Sequence, residues 1–256
     1  MIEAEFIKHV QCQIINGTKG PGMNFYSLTS EGYQKIGLET SKYREPKNPT
    51  STNLLHYYLC NVFFTGFSVI AKSYDGLSCQ YLTQRQLFDG NHFHEYYLSK
   101  TPASLHDLFA LPDFILCLSN NKTRILYIGE IDCSTESISA SAHQVKSIER
   151  KFKSFSIIKM HDIQKYFNDI FGYDFDGFVY LHVTSGTNSR LSSIASLCQK
   201  ESLYSIDEIL LALADDIWPN VEINKSGRLS ISYDNLLSNV WLRPSVGLTE
   251  RSTILL

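Results

Sequence analysis

Two short apolar segments of this chain each bring a carboxylate close to one end. The segment PDFILCL, residues 112–118, carries Asp113 near its start, and RILYIGEID, residues 124–132, carries Glu130 near its end. The five polar residues between the segments match the length of a hairpin turn, so the sequence predicts two adjacent antiparallel strands. Adjacent strands can place the two carboxylates side by side. Such a pair of oxygen ligands suits Mg²⁺, which binds one or two carboxylates and keeps several waters.

A metal held by these carboxylates would give the site hydrolytic chemistry, because a bound divalent ion can activate water and polarise a phosphodiester. The alternative is a hairpin whose polar ends carry solvated acids, and the pattern leaves both interpretations open. If Asp113, Glu130 and Asp132 crowd together without metal, their repulsion should raise the pKa of at least one of them. A bound divalent metal should then stabilise the fold.

A helix predicted at residues 138–155 follows the second carboxylate segment and is locally basic. Its apolar residues recur at helical spacing, at Val145, Ile148, Phe152 and Phe155. This helix could bring Lys146 over the metal site, where a cation could orient the attacking water or offset charge in the transition state. Arg150 and Lys151 on the same helix are candidate DNA contacts. A solvated helix surface is the alternative explanation for these charges.

A second candidate metal motif is the triplet His92-Phe93-His94. On a strand, side-chain alternation would place both imidazoles on one side. HUH nickases hold a metal with such a triplet. The chance occurrence of two spaced histidines on a strand is the alternative.

The composition narrows the class of protein. The chain has 256 residues, of which 43% are hydrophobic and 19% charged, which predicts a globular fold with a substantial core. The formal net charge is −3. A DNA-binding protein with this balance must concentrate its basic residues locally, because its overall field steers DNA only weakly.

Cysteine usage and hydropathy favour a cytoplasmic location. The six cysteines are scattered without a CxxC pair, which argues against a zinc site or a disulfide framework. No signal peptide is visible at the N-terminus. The longest apolar stretch, residues 54–71, is interrupted by His56, Asn61 and Thr65. We therefore expect a core helix and strand there, and no membrane as a partner.

The first part of the chain predicts a hairpin followed by a short helix. Strands are expected at residues 5–15 and 24–29 around a glycine-rich turn, and Ser30 can cap a helix at residues 31–36. A hairpin that ends in the pattern Y-x-L-T-x-x-G, as here at residues 26–32, is typical of the wing of a winged helix. Lys19 in the turn could then contact a DNA phosphate. A bare hairpin packed on the main domain is the alternative.

A polar segment with two prolines, residues 38–52, marks a domain boundary. We therefore expect the wing hairpin of a partial winged-helix module at residues 1–45 and a larger domain at residues 50–256. The larger domain mixes strands and helices, so the predicted fold class is α/β, or mixed α+β, with a mixed sheet flanked by helices. Helices are expected at residues 53–64, 138–155, 161–172, 189–199 and 205–216, and strands at residues 67–73, 78–83, 92–98, 112–118, 124–132 and 178–184. Two closing strands are expected around Gly227 within residues 221–243, the second ending near Trp241.

Several motifs occur in one order along the chain. They are FYSLTSEG, NLLHYYL, PDFIL, GEIDCSTES, and the strand FVYLHVTS followed at once by an Asn-Ser-Arg helix start. In this order they resemble the replication-relaxation proteins and the related MOBC-type plasmid relaxases, over most of the chain. Those proteins look like a winged helix fused to a restriction-endonuclease-like, or PD-(D/E)XK, core. In that core an Asp opens one strand and a Glu-x-Lys ends the next.

The resemblance implies an enzyme that nicks one DNA strand with Mg²⁺ or Mn²⁺ during plasmid mobilisation or replication initiation. It implies Asp113 and Glu130 as catalytic metal ligands, Asp132 as a third acid and Lys146 as a shifted catalytic lysine. The implied partners are an origin of transfer or replication and other relaxosome or replication proteins. In two departures from the family pattern, Asp132 stands where the nuclease motif has lysine, and the segment before the hairpin has no room for a recognition helix.

Three functions fit the sequence. The first is a metal-dependent relaxase or endonuclease. The second is a non-catalytic, DNA-binding relaxosome accessory or replication-control protein that keeps the nuclease fold, and the third is a restriction-like endonuclease. The substitution Glu130→Ala separates the first two, because lost nicking with retained DNA binding would indicate catalysis.

Overall fold

The computed structural model describes residues 7–11, 24–35, 37, 40, 51–84, 86–87, 92–134, 136–139, 147–161, 163–200, 208–223, 229–244 and 251–254. Contacts divide the chain into two compact units, Met1–Tyr58 and Leu59–Leu256. Much of the boundary expected at residues 38–52 lies outside the described residues, so that boundary stays a prediction.

The first unit contains the hairpin expected from the sequence. Strand β1 (Ile7–Gln11) pairs antiparallel with β2 (Asn24–Leu28), and helix α1 (Ser30–Lys35) follows. The cap of α1 is Thr29, whose Oγ1 accepts a hydrogen bond from the Gly32 amide at 3.0 Å. The turn with Lys19 lies outside the described residues, so the winged-helix assignment stays a prediction. Helix α2 (Ser51–Ser73) begins in this unit and ends in the next.

The second unit is built on a seven-stranded mixed sheet in the order β11-β10-β7-β6-β5-β4-β3. Strands β3, β4 and β5 form an antiparallel meander, β5, β6 and β7 are parallel, and β10 and β11 add antiparallel strands at the other edge. A separate antiparallel pair is formed by β8 and β9. The strands are β3 (Ser78–Thr83), β4 (Phe114–Ser119), β5 (Arg124–Asp132), β6 (Gly177–Thr184), β7 (Glu208–Leu213), β8 (Asn220–Ile223), β9 (Leu229–Ser232), β10 (Trp241–Leu242) and β11 (Arg251–Ser252).

Helices cover both faces of this sheet. On one face, Phe63 of α2 packs against Phe114 and Trp241, with ring centroids 5.1 and 6.2 Å apart. On the other face, Phe152 and Phe155 pack against Tyr180 of β6. The remaining helices are α3 (Phe93–Lys100), α4 (Ile148–Met160), α5 (Gln164–Phe171) and α6 (Asn188–Lys200). The prediction of a mixed α+β fold, with a mixed sheet flanked by helices, is confirmed.

The hairpin of β4 and β5 forms as its sequence indicates. Asn120 closes the turn, because its Oδ1 accepts the backbone amides of Lys122 and Thr123 at 2.8 Å each. Further along the pair, Phe114 lies opposite Gly129, and any Cβ at residue 129 would overlap the Phe114 ring. The glycine therefore makes room for an aromatic residue at the end of the hairpin that carries both candidate carboxylates.

Several predicted elements differ in the structure. The strand predicted at residues 67–73 is wrong, because α2 continues to Ser73. Its Gly66 lets the helix pass Tyr233 and Leu236, which a Cβ there would overlap. The strand predicted at residues 92–98 is also wrong, because these residues belong to α3 and to the residue before it. The described residues 136–139 are not helical, and α4 begins only at Ile148.

The helix predicted at residues 205–216 is also wrong in its described part. Glu208–Leu213 is strand β7, between β6 and β10 in the sheet. Its run of leucines favours a helix by local propensity, but a strand in the middle of a covered sheet is also continuously apolar. The two closing strands are confirmed as the β8–β9 pair. The predicted end of the second strand near Trp241 is wrong, because β9 ends at Ser232 and Trp241 belongs to a further short strand, β10. Among the described helices, none is long and apolar enough to cross a membrane.

Candidate functional site

Asp113 and Glu130 lie at the same end of two adjacent strands. Asp113 directly precedes β4, and its amide donates to the Gly129 carbonyl at 3.1 Å, which continues the pairing of β4 with β5. Side-chain alternation then places Asp113 and Glu130 on one face of the sheet. Both side chains are buried, and Glu130 is only 1% exposed. The structure therefore brings together the two carboxylates that the hairpin pattern selects.

The Asp113 carboxylate is held by donors from both neighbouring strands. Its Oδ2 accepts the Ile131 amide of β5 at 2.8 Å. Its Oδ1 accepts Nε2 of Gln84, the residue after β3, at 3.3 Å. The Gln84 amide also donates to the Asp113 carbonyl at 3.1 Å. The orientation of this carboxylate is thus set by the sheet itself.

Lys151 of α4 supplies the positive charge of the site. Its Nζ donates to Oε2 of Glu130 at 2.7 Å and lies 3.1 Å from Oε1 of Glu136. The Lys151 side chain is 19% exposed and the Glu130 side chain is 0% exposed, so this ion pair is shielded from water. We call Asp113, Glu130 and Glu136, together with Lys151, the acidic cluster.

Two oxygens of the acidic cluster have no hydrogen-bond partner within the part of the chain that the structure describes. They are Oε1 of Glu130 and Oε2 of Glu136, and both atoms are buried. Leaving a buried acceptor unsatisfied costs about 1–3 kcal/mol, and such atoms in proteins often mark a catalytic role or the place of a bound ion or water. The acidic cluster therefore retains the capacity to bind a cation.

The charges of the acidic cluster shift each other's protonation. Burial raises the pKa of Glu130 well above its usual value, and the charge of Asp113 adds to the rise, while Lys151 opposes it. Burial acts to lower the pKa of Lys151, but the carboxylates of Glu130, Asp113 and Glu136 outweigh it, so the pKa is raised. The repulsion expected between crowded carboxylates thus acts on Glu130.

Asp132 lies two residues further along β5 on the same face, but it has partners of its own. Its Oδ2 accepts Nε of Arg190 at 2.7 Å and Oγ1 of Thr184 at 2.8 Å, and its Oδ1 accepts the Ser134 amide at 2.8 Å. Nη2 of Arg190 also donates to the Glu136 carbonyl at 2.7 Å. We call Asp132, Thr184 and Arg190 the Arg190 clamp.

Both oxygens of Asp132 are therefore engaged by protein donors. Burial acts to raise the pKa of Asp132, but the Arg190 hydrogen bond, the proximity of His182 and the Thr184 hydrogen bond outweigh it, so the pKa is lowered. The carboxylate is ionised and neutralised by a guanidinium. The assignment of Asp132 as a third metal ligand and catalytic acid stays a prediction, and the proposal below does not rely on it.

A buried histidine lies beside both groups. His182 of β6 pairs in register with Glu130, and its Nδ1 is 3.2 Å from the Tyr180 hydroxyl. Its Nε2 is buried without a hydrogen-bond partner among the described residues. Burial lowers the pKa of His182 to about 4, so the ring is neutral at pH 7. Sequence reasoning did not single out His182, because it lies in a strand that is otherwise almost wholly apolar.

The other predicted site residues have varied outcomes. Lys19 and Lys146 lie outside the described residues, so their roles in DNA binding and catalysis stay predictions. Arg150 is half-buried and near Tyr97, whose pKa its charge acts to lower against the effect of burial. Lys151 pairs with the carboxylates of the acidic cluster, and its predicted contact with DNA stays a prediction.

The histidine triplet does not form a metal site on a strand, so that interpretation is wrong. His92 precedes α3 in a left-handed conformation with φ of 51°, and His94 lies within α3. The His94 ring packs against Phe109 at a centroid distance of 4.5 Å. The two imidazoles therefore do not share one side of a strand.

The sequence does contain a signal for Lys151. Ile148, Phe152 and Phe155 mark the buried face of α4, and all three are 0% exposed. Lys151 is three residues after Ile148 and four before Phe155, so it shares that face by helical spacing. Glu136 lies in the motif GEIDCSTES and Arg190 in the Asn-Ser-Arg helix start. Neither motif indicates their roles, because these depend on contacts between distant segments.

A metal ion in the acidic cluster would be held by carboxylate oxygens. No group of three His, Cys, Asp or Glu side chains within the described residues is arranged to hold one ion. Mg²⁺ needs only one or two carboxylates when waters complete its coordination. Asp113 and Glu130 provide such a pair, and the unpartnered Oε1 of Glu130 is a hard oxygen suited to it. The residues present therefore fit a hydrated divalent ion.

In comparisons with known proteins, no family model matches the chain, and neither a curated protein nor a solved structure matches it.

Proposed function

We propose that this chain is a metal-dependent DNA-nicking endonuclease or relaxase whose active site is the acidic cluster. One observation carries the proposal: Asp113 and Glu130 converge from adjacent strands beside a buried ammonium, and one Glu130 oxygen has no partner among the described residues. A restriction-endonuclease-like core belongs to the same proposal, supported by an Asp before one strand and a Glu near the end of the next.

In this proposal, Asp113 and Glu130 hold Mg²⁺ or Mn²⁺. The bound metal would activate a water and polarise the scissile phosphodiester. The protein's own contribution is rigidity, because the Ile131 amide and Gln84 orient the Asp113 carboxylate before any metal arrives. Pre-set donors lose no energy to reorganisation during the reaction.

Lys151 takes the role of the catalytic cation. Its raised pKa keeps the ammonium protonated through neutral pH. An ammonium at this position can offset the charge that develops on a phosphate oxygen in the transition state. Asp132, which stands in the lysine position of the nuclease motif, instead binds Arg190, so the positive charge comes from α4 rather than from β5.

The biological setting is a proposal of the same kind. We propose DNA at an origin of transfer or replication as the substrate, with relaxosome or replication proteins as partners. A cytoplasmic location fits the five described cysteines, Cys60, Cys79, Cys117, Cys133 and Cys198, which are free thiols.

A nicking assay on supercoiled plasmid tests the proposal. The plasmid carries the DNA that flanks this protein's gene, and each reaction contains Mn²⁺, Mg²⁺ or EDTA. We expect the wild type to convert the plasmid to open circle only with metal. Asp113→Asn and Glu130→Gln should each reduce the rate at least about a hundredfold, because they remove charge from the metal ligands at nearly constant volume.

Two exposed acids provide matched controls, Asp169→Asn on α5 and Glu95→Gln on α3, and both should nick like the wild type. Absence of nicking by folded wild-type protein would refute the nuclease. If that protein still bound DNA, the non-catalytic accessory would replace it. One observation favours that second candidate: Lys151 already forms ion pairs with Glu130 and Glu136 without metal.

A further inference from the structure

We propose that Glu130 and Glu136 form a cation position that the Lys151 ammonium fills in the metal-free protein and that a divalent metal ion takes over. This inference rests on the proposed function, since the position shares Glu130 with the pair of carboxylates that would hold the metal there. It gives a role to Glu136, to which neither the hairpin pattern nor the resemblance assigned one.

The two carboxylates have hydrogen-bond capacity that Lys151 does not use. Lys151 Nζ contacts one oxygen of each, Oε2 of Glu130 at 2.7 Å and Oε1 of Glu136 at 3.1 Å. The second oxygen of each carboxylate is buried without a partner in the described part of the chain. An ammonium has only three donors, whereas a divalent ion such as Mg²⁺ takes six oxygen ligands, several of them waters. A hydrated divalent ion can therefore satisfy oxygens that the ammonium leaves unpaired.

Glu136 is held in place independently of Lys151. Its carbonyl accepts Nη2 of Arg190 at 2.7 Å, and Arg190 is itself bound to Asp132. Ser134, two residues earlier, donates its amide to Asp132 at 2.8 Å. Because the Arg190 clamp fixes the backbone at Glu136, this carboxylate stays near Glu130 when the ammonium leaves.

The Lys151 ammonium can leave the carboxylates toward solvent. The Lys151 side chain is 19% exposed, unlike the fully buried side chain of Glu130. Its four-carbon stem is flexible and its charged end tends to seek water. Once displaced, the ammonium is free to pair with a DNA phosphate. Metal loading would then release the cation that the substrate needs, which couples the two binding events.

The test measures thermal unfolding of the full chain, first in EDTA and then with increasing Mn²⁺ and no DNA. The wild type should gain melting temperature as Mn²⁺ binds. Glu136→Gln should raise the half-saturating Mn²⁺ concentration about tenfold, because one carboxylate is lost from the site. Lys151→Met should lower it about tenfold, because no ammonium competes for the carboxylates. Glu95→Gln, an exposed acid, should match the wild type.

The inference is overturned if Mn²⁺ leaves the wild-type melting temperature unchanged, or if Glu136→Gln keeps the wild-type half-saturating concentration. It is overturned as well if Lys151→Met folds and does not bind Mn²⁺ more tightly. If Lys151→Met does not fold, the half-saturating Mn²⁺ concentration of Glu136→Gln still tests the inference, because Glu136 is partly exposed.

Failure here is distinguishable from failure of the proposed nuclease. If nicking requires Asp113 but Mn²⁺ binding does not depend on Glu136, the nuclease proposal is supported and the cation position at Glu130 and Glu136 is refuted. If Mn²⁺ binding requires Glu136 but the protein does not nick DNA, the cation position is supported and the nuclease proposal is refuted.

Discussion

Strand β5 presents two carboxylates on one face, and each meets a cation from a later helix. Glu130 pairs with Lys151 of α4, and Asp132 pairs with Arg190 of α6. The two ion pairs have the same length, 2.7 Å, and the acids of both are buried. By distance and burial alone, the pairs are alike.

They differ in what is left unsatisfied. Three donors engage both oxygens of Asp132, whereas Oε1 of Glu130 has no partner among the described residues. The pKa of Asp132 is lowered because its donors outweigh its burial, and the pKa of Glu130 is raised because burial and Asp113 prevail. The forked guanidinium of Arg190 also reaches the Glu136 carbonyl, while the ammonium is a compact point charge. Remaining hydrogen-bond capacity at the carboxylate therefore distinguishes Glu130 from Asp132.

The largest effect should come from breaking the structural pair. Arg190→Met leaves Asp132 as a buried charge without its cation and releases the Glu136 carbonyl. We expect the free energy of unfolding to fall by about 3–5 kcal/mol, the usual cost of removing one partner of a buried pair. Urea unfolding at pH 7.5 in EDTA measures it.

The double variant Asp132→Asn/Arg190→Met is the control for this prediction. Removing both charges should cost less than the sum of the single substitutions, because neither charge is then left alone. A loss below about 1 kcal/mol for Arg190→Met would place the clamp among ordinary surface ion pairs and would contradict the comparison.

The next effect concerns His182, which lies beside both acids. Its pKa is lowered to about 4 by burial, from a usual value of 6.5. Between these two pKa values, His182 is protonated in the unfolded chain and neutral in the folded protein. The free energy of unfolding therefore falls as the pH drops through this range. From pH 7.5 to pH 5, His182 should remove about 2 kcal/mol of stability.

Substituting His182→Gln should remove this loss and leave the contributions of the two acids in place. The measurement is the difference in unfolding free energy between wild type and variant at the two pH values, in EDTA. Equal pH dependence of the two proteins would show that His182 takes up its proton while folded.

The sequence predicts one side of this comparison much better than the other. The hairpin that carries Asp113 and Glu130 is a local feature, because its strands, its turn and its glycine are contiguous in the chain. The buried position of Lys151 could also be predicted, since helical spacing places this residue on the buried face of α4 with Ile148. The partners of Asp132 come from 52 and 58 residues away, so no local pattern identifies them.

The errors in the fold have the same origin. Strand β7 contains good helix formers and becomes a strand only because β6 and β10 flank it. Residues 67–73 look like a strand because of Val69 and Ile70, yet they continue a helix that packs on the sheet. Tertiary contacts decided these elements, as they decided the role of Asp132.

A smaller effect should come from breaking the functional pair. Lys151→Met removes the ammonium from Glu130, whose already raised pKa should rise further. A carboxyl that is easily protonated in the fold gains stability as the pH falls through that raised pKa. We expect a cost of about 1.5 kcal/mol at pH 7.5, and a smaller cost at pH 5, where a proton replaces the ammonium.

Arg190→Met is the contrast for this prediction. Asp132 still accepts Thr184 and the Ser134 amide, which favour its charged form, so the cost of that substitution should persist at pH 5. Unfolding in urea at both pH values, in EDTA, measures the two variants side by side. The same pH dependence in both would mean that the two acids do not differ as proposed.

The smallest effect should come from crowding the clamp without removing a charge. A Cβ at Gly186 would stand 2.5 Å from Cδ of Arg190 and 2.9 Å from Oγ of Ser134. Both neighbours are side-chain atoms that can move, so Gly186→Ala should cost about 0.5–1 kcal/mol through an off-rotamer arginine. In an Arg190→Ala background Cδ is absent, and this cost should largely disappear. Because Arg190 also holds the Glu136 carbonyl, an arginine moved off its rotamer should raise the half-saturating Mn²⁺ concentration of the acidic cluster as well. An unchanged concentration would mean that Glu136 is positioned independently of the clamp.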